Sequence, residues 1–554
     1  MQSVKNMPVP GTLAELCLGV SVEYKDKLAF SIINEGKIER KITYTQLKNK
    51  SCQTGTLLNK LGIEYGDKVM LYSDNCPEWP VTYFGIAFAG AVSVPLLTGF
   101  PAEQVLHIAK HSGARVICIS KSMADKAKQI TKTNELKDIP FLYIDTMTED
   151  ENSNLKITMS LNGSEEELIT YPCGKCSGYL NQKPDDLATI IYTSGTQGSS
   201  KGVMLSGKNL LSSAISSFSF AKMSRHDSFL SVLPLAHSYE CSLGFLAPLL
   251  CGASITYLDK PPSPSVLLPA LKLLRPTAMI SVPLLIEKVY NNALLPELNK
   301  SRLYNFSLTR PLAALIAGRK LISAMGGRIR FFGIGGAPLS PQVEKFLHSA
   351  KFPYTVGYGL TETAPLVAGN APFRFALGSG IVPPAGVKLR IVKIAGSNED
   401  EGEIQVQGPN VMLGYYKDTE KTDEVFTADG WFRTGDLGRF DKKGRLHIRG
   451  RIKAMILGPS GENIYPEEIE GILGTSRLVE ESLVYSGNKG ELVALVRLSE
   501  AAKTAAGVIE NTMEELRAWV NKKLSAFSRI SRIEIKHDQF EKTPTMKIKR
   551  YLYV

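Results

Sequence analysis

The 554-residue chain is short of several things, and each shortage narrows what it can be. Eight cysteines without regular spacing are too few for a disulfide framework, so a reducing, cytoplasmic setting is expected. One close pair, Cys173 and Cys176 in YPCGKCSGY, has metal or redox spacing, but no second pair follows and two free thiols in a loop are the simpler reading. Long hydrophobic runs are missing too. The longest, FGIAFAGAVSVPLL from Phe84 to Leu97, is broken by glycines and Pro95 and reads as a buried helix followed by a strand. The opening MQSVKNMPVPGTLAEL lacks the continuous apolar core of a secretory leader. Internal repeats and low-complexity tracts are absent, and 21% charged with 44% hydrophobic residues is the composition of an ordinary globular protein.

Acidic residues fall short of basic ones, leaving a net charge of +11. The lysines and arginines are scattered, apart from KIKR at Lys547 to Arg550, which suits anionic small molecules or a membrane surface better than a nucleic-acid stripe. His107 and His111 in HIAKH stand one helical turn apart without a third ligand candidate, so a solvated helix face is expected there.

What is present begins with alternation. From Lys68, strand-like KVMLYS, helical PEWPVTYFGIAFAG, strand-like AVSVPLL, helical AEQVLHIAKHSG and strand-like ARVICIS imply βαβ units and a parallel sheet. A second such layer is expected to start at Leu187, and the polar stretch Thr146 to Pro184 reads as a boundary or surface excursion. From Gly386 the pattern becomes short strands (VKLRIVKI, GEIQVQG, GRLHIRG) with Gly turns and no helix between them, a small antiparallel barrel or hairpin layer. After Arg451 comes a mixed tail the size of a small α+β domain. The fold class expected is therefore α/β: two parallel-sheet subdomains and a small β-barrel subdomain in residues 1–450, then an α+β domain in residues 451–554.

The segment IIYTSGTQGSSKGVMLS, Ile190 to Ser206, runs from an apolar strand into small and hydroxylated residues closed by Lys201 and Gly202. Small residues let backbone N–H groups approach an anion, hydroxyls add donors, and a lysine adds a point charge, which is the composition of a phosphate cradle. A plain Ser/Gly connector has similar composition. It is not a Walker loop, because Ser200 precedes Lys201 and Gly202 follows it. FFGIGGAPLS (Phe331 to Ser340) and VGYGLTET (Val356 to Thr363) are further Gly-rich strand-to-loop transitions, suited to a flat ring. WFRTGDLGRFDKKGRLHIRGRIKAMI supplies Asp436 and Arg451, SGENIYPEEIE follows, and KTPTMKIKR near the end supplies Lys547.

In this order the motifs resemble the adenylate-forming superfamily of acyl- and aryl-CoA synthetases, luciferase and peptide-synthetase adenylation domains, over nearly the whole chain. TSGTQGSSKG looks like that family's phosphate loop, with Gln197 and Ser200 as departures. PLAHSYE, GENIYPEEIE and TPTMKIKR look most like the long-chain fatty acid CoA ligases, although Met546 stands where other branches more often have Gly. The resemblance implies a mobile C-terminal domain and a reaction in which ATP activates a fatty acid to an acyl-adenylate, which CoA then receives. It implies that Thr193, Ser194, Gly195, Thr196, Gln197, Gly198 and Lys201 cradle phosphates, and that Gly336, Ala337, Pro338, Tyr358 and Gly359 hold adenine. Asp436 and Arg451 would hold the ribose, Thr361 the phosphate and Glu362 Mg2+. Lys547 would bridge carboxylate and α-phosphate, His237 and Gly335 would border the acyl and CoA channel, and Lys453 would be the hinge. Taken singly, several have plainer readings: Gly435–Asp436 is an ordinary turn pair, His237 a packed histidine, and Arg451 a partner for a neighbouring carboxylate. An acyl carrier protein as thiol donor, an aryl acid as substrate, and a degenerate homologue that only binds are the competing functions. Peripheral membrane contact is compatible with the charge.

Overall fold

The computed structural model describes residues 9–553 except 124, 127–128, 130–137, 162–163, 171–177, 195–199, 307, 378–379, 395–396, 398–399, 458–462, 488–490, 500–501, 503–508, 526–527 and 544–546. Gly195, Thr196, Gln197, Gly198, Cys173, Cys176 and Met546 therefore lie outside the described residues.

Two large mixed sheets dominate the first four hundred residues or so. One has nine strands in the order 414–415, 200–206, 187–194, 92–96, 68–72, 114–119, 141–149, 155–161, 164–170. Its centre is parallel, and the βαβ units expected from Lys68 form it: helix Glu78–Phe88 is buried along its whole length and strand Val92–Leu96 throughout. Helix Ala102–Ser112 stops at Gly113, whose φ of 68° is the left-handed value a helix end without a Cβ penalty uses.

The second layer differs from expectation. Strand Leu187–Ser194 belongs to the first sheet, beside Val92–Leu96, and the second sheet recruits Leu28–Asn34 and Lys37–Thr43 from the start of the chain. A strand does not announce its neighbour, and Leu28–Asn34 pairs with Ser254–Leu258, more than two hundred residues away. The stretch Thr146 to Pro184 also contains strands Leu155–Leu161 and Ser164–Thr170, which extend the first sheet antiparallel. Their exposed face is polar, so hydrophobic runs did not reveal them.

A four-stranded antiparallel sheet of 388–392, 402–407, 432–440 and 446–451 forms the small β subdomain. A seven-residue helix, Thr419–Val425, does interrupt it, started by the Asp418 carboxylate accepting from Lys421 N–H at 3.1 Å. Beyond it, strands 479–486, 492–498 and 532–535 and helices Pro466–Leu473 and Ile509–Asn521 enclose a core of their own, from Ile464 to Ile530. Among the described residues no helix is long and apolar enough to cross a membrane. Cys17, Cys76, Cys118, Cys241 and Cys251 are free and buried. Cys52 is disulfide-bonded.

Candidate active site

Strands Phe331–Ile334 and Tyr354–Gly359 are parallel neighbours, so the loops leaving their carboxyl ends emerge side by side, where open α/β sheets bind ligands. One loop holds Gly335, Gly336, Ala337 and Pro338, and the other leads through Tyr358 into the short turn Thr361–Thr363. Two glycines there are dictated by geometry. Gly336 has φ +86°, and a Cβ on Gly359 would lie 1.8 Å from the Pro365 carbonyl oxygen.

The ribose candidates are built by pairing. Asp436 and Arg451 are register partners on adjacent antiparallel strands, which brings Arg451 Nε to 2.7 Å from Asp436 Oδ1. Tyr358 donates its hydroxyl to Asp436 Oδ2 at 2.5 Å, and Thr434 Oγ1 accepts from the Asp436 N–H at 3.0 Å. Burial pushes the Asp436 carboxyl up, against the opposing pull of Arg451 and Tyr358. The plain ion pair is thus real, whereas Gly435 and Asp436 lie within strand Phe432–Phe440 and form no turn.

Thr193 and Lys201 face each other across the hairpin that carries the cradle loop. A residue the sequence reading missed ties this hairpin to the second sheet. Tyr415, on the edge strand paired with Val203 and Met204, lies with its ring 4.9 Å from Lys201 Nζ and donates its hydroxyl to Glu362 Oε1 at 2.9 Å. The second Glu362 carboxylate oxygen accepts no hydrogen bond among the described residues. Ser238 Oγ reaches Thr361 Oγ1 at 3.3 Å, which brings the PLAHSYE segment to the same turn. No signal in the sequence separates Tyr415 from its neighbour Tyr416; only the pairing of a two-residue strand does.

Lys547 belongs to the C-terminal unit, where the Thr543 N–H donates to the Lys547 carbonyl at 2.8 Å. Its side chain is exposed and forms no hydrogen bond or ion pair among the described residues. The surrounding protein lowers its pKa by loss of hydration, as does Arg451, while Asp436, Glu467 and Glu362 oppose that shift. Glu467, from PEEIE, is a second residue the sequence reading had not assigned. The rest of KIKR is not a free cationic run: Arg550 pairs with Glu470 at 2.8 Å and Lys549 with Glu541 at 3.3 Å.

His237 is half-buried, and its Nδ1 accepts the Tyr239 N–H at 3.2 Å. Burial, and secondarily Lys547, lowers its pKa to about 4, so it is neutral near pH 7. Tyr239 packs against Gly335, where a Cβ would meet its ring carbon at 3.1 Å. Behind it lies a cavity of ≈ 50 Å³ lined by Phe220, Met223, Leu243, Phe331 and Leu366 among others. Lys453 is exposed in the turn Ile452–Ala454 that leaves strand Leu446–Arg451. Across this junction Tyr465 donates to Glu401 at 2.9 Å, and Arg449 bonds both Glu401, at 2.8 Å, and Glu468, at 3.4 Å. His111 is not on a solvated face as expected: its Nδ1 sits 2.7 Å from the Tyr192 hydroxyl. Among the described residues no group of three or more His, Cys, Asp or Glu could hold a metal.

The chain is 30% identical to the peroxisomal long chain acyl-CoA synthetase 7 of Arabidopsis thaliana over 486 residues, which is 82% of this chain and 68% of that one. It is 29% identical over 613 residues to the chloroplastic long-chain-fatty-acid–[acyl-carrier-protein] ligase AEE15 of the same plant, covering 93% of this chain and 81% of that one. In fold it is similar to ATP-bound MatB from Rhodopseudomonas palustris, with a TM-score of 0.74 at 24% identity over 97% of this chain and 98% of that one. The family profile described as AMP-binding enzyme matches residues 20–416 and that described as AMP-binding enzyme C-terminal domain matches residues 468–547, so the chain belongs to the AMP-binding enzyme family.

Proposed function

We propose that the chain uses ATP to activate a medium- to long-chain fatty acid as its acyl-adenylate, releasing pyrophosphate, and passes the acyl group to the thiol of CoA. The observation that carries this reading is the gathering of Lys201, Arg451 and Lys547 with Glu362 and Asp436, beside a strand, Tyr354–Gly359, whose Thr355, Val356 and Gly357 line an apolar cavity. The chemistry requires it. A carboxylate attacking the α-phosphate brings two anions together, and at about 4 Å their repulsion is ~4 kcal/mol at an effective dielectric of 20, roughly a thousandfold in rate.

We assign Lys547 to bridge the attacking carboxylate and the α-phosphate; its ammonium has no ion-pair partner among the described residues, which supports that role. Lys201 and Thr193 flank the path of the departing β- and γ-phosphates. Asp436 offers carboxylate oxygens to ribose hydroxyls, with Arg451 beside it, and the Tyr358 ring is held there by its bond to Asp436. The open oxygen of Glu362 suits Mg2+ carried in on the triphosphate, which would neutralise phosphate charge. A single carboxylate is the donor set expected of a metal shared with nucleotide phosphates, and Tyr415 fixes its orientation. We read residues 1–450 as the adenylating unit and 451–554 as the unit that turns about Lys453 between the two half-reactions.

Support for a long acyl chain comes from the motif set, from the relatives named above and from the apolar lining of the cavity. As it stands the cavity is small, so a long chain requires Tyr239 and its neighbours to part. ATP/pyrophosphate exchange across a panel of acids tests the reading. Acids of about twelve carbons or more should outperform acetate and benzoate, at roughly 0.8 kcal/mol per buried methylene. Equal turnover of acetate or an aryl acid sinks the long-chain choice and leaves adenylation standing. Product assayed with CoA and with acyl carrier protein in parallel decides the acceptor.

A further inference from the structure

One corner of the large unit turns an apolar face to water, and nothing described above uses it. Helix Arg310–Ala324 buries Ala313, Ala314, Ala317 and Leu321 on its inner side, yet Leu312, Leu315 and Ile316 project from its outer side. The chain entering the helix adds Phe306 and Leu308, 70% and 94% exposed, and the contacting helix Pro264–Leu274 adds Leu268. An outer helix face is ordinarily polar, and a contiguous apolar patch marks an interaction surface.

The same corner is basic. Asn299 to Arg330 contains seven lysines and arginines and no Asp or Glu, and Pro261 to Ile286 contains Lys272 and Arg275 and no acid either. Arg330 is committed to Asp227, and Lys320 lies 3.4 Å from Glu297. Arg302 and Arg319 have no ion pair or hydrogen bond among the described residues. Both are exposed, Arg302 ahead of Phe306 and Leu308 in the chain and Arg319 one turn beyond Ile316 on the same helix.

We infer that this face docks on an anionic lipid bilayer. Exposed aliphatic and aromatic tips entering the headgroup region, ringed by cations that pair with lipid phosphate, are what an interfacial helix needs. A second copy of this chain is a poorer occupant, since pairing the faces would bring two predominantly basic surfaces together. The docking face is also joined to the apolar cavity. Helix Arg310–Ala324 is followed by strand Phe331–Ile334, whose Phe331, Gly333 and Ile334 line that cavity. This link to an acid substrate rests on the function proposed above; the docking does not.

Co-sedimentation of the full-length chain with vesicles of phosphatidylcholine, alone or mixed with phosphatidylglycerol, is the test. The chain should bind the mixed vesicles and be released by salt. Leu308→Ser with Leu312→Ser and Phe306→Ser should lower partitioning about tenfold or more. Arg302→Gln and Arg319→Gln should each lower it by about fivefold on mixed vesicles only. Exchange with a short, water-soluble fatty acid should stay at the wild-type rate in all of them, which shows that they fold. Failure of the unaltered chain to bind mixed vesicles, or equal binding by the triple variant, overturns the proposal. So does a wild-type dimer in sedimentation that the triple variant dissolves. Vesicle binding by a chain that shows no fatty-acid-dependent exchange upholds the docking face and removes the proposed substrate.

Discussion

Asp436 and Lys547 carry opposite charges and meet at the same crevice, but their surroundings have little in common. Asp436 is buried, held by Tyr358 at 2.5 Å and Arg451 at 2.7 Å, and fixed from behind by Thr434. Lys547 is exposed, reaches the crevice from a separately cored unit, and is bound to none of the carboxylates that act on it. A buried, fully bonded group is a poor candidate for movement and a good one for positioning a ligand; an unpaired cation on a second unit is the reverse. On the function proposed above, the contrast would leave nucleotide placement to the large unit and delivery of charge to the small one.

The sharpest way to break this comparison is Lys547→Ala. Deleting one preorganised charge should cost at least about a hundredfold in ATP/pyrophosphate exchange. Transfer from a supplied acyl-adenylate to CoA should fall less, because the carboxylate is already esterified. Exchange at near wild-type rate would show that the small unit delivers nothing to the first half-reaction.

Lys453→Pro tests whether the small unit must move. The turn Ile452–Ala454 is of the 3₁₀ type, whose φ near −60° proline accepts, so the variant should keep the orientation seen here. Exchange should persist while thioester output falls about tenfold, by loss of the conformational step. Parallel loss of both half-reactions, with a lowered melting temperature, would mean simple damage at the junction.

The smallest expected effect belongs to Tyr465→Phe. It removes the hydroxyl donated to Glu401 across the junction, at a net cost of about 1 kcal/mol in a buried site. If that bond favours the adenylating orientation, exchange should drop roughly fivefold or less with thioester transfer unchanged or faster. A loss shared equally by both steps would mean that the bond supports the fold and not the orientation.

How far the sequence could be read depended on whether the information was local. Helix Glu78–Phe88 and strand Val92–Leu96 follow from an apolar run divided by Gly90, and helix Ala102–Ser112 from its apolar period and its Gly113 stop. Helix Thr419–Val425 was missed although Asp418 is an ordinary cap, because a short polar helix has no apolar stripe to show. The placement of Leu187–Ser194 in the first sheet and of Leu28–Asn34 in the second was beyond reach, since pairing between distant strands leaves no trace in either segment's composition.

The same division holds in the site. By itself the sequence determined the residue types that can meet anions (Lys201, Arg451 and Lys547) or offer a carboxylate (Glu362 and Asp436) and, through the order of their motifs, the family they belong to. Only the tertiary structure decided that Tyr415 holds Glu362 and lies against Lys201, that Arg550 is tied to Glu470 while Lys547 is left unpaired, and that Leu312 and Ile316 face water on a helix whose alanines face the core. The reason is physical: charge and size are properties of a residue, whereas pairing, burial and exposure are properties of what the rest of the chain brings alongside it.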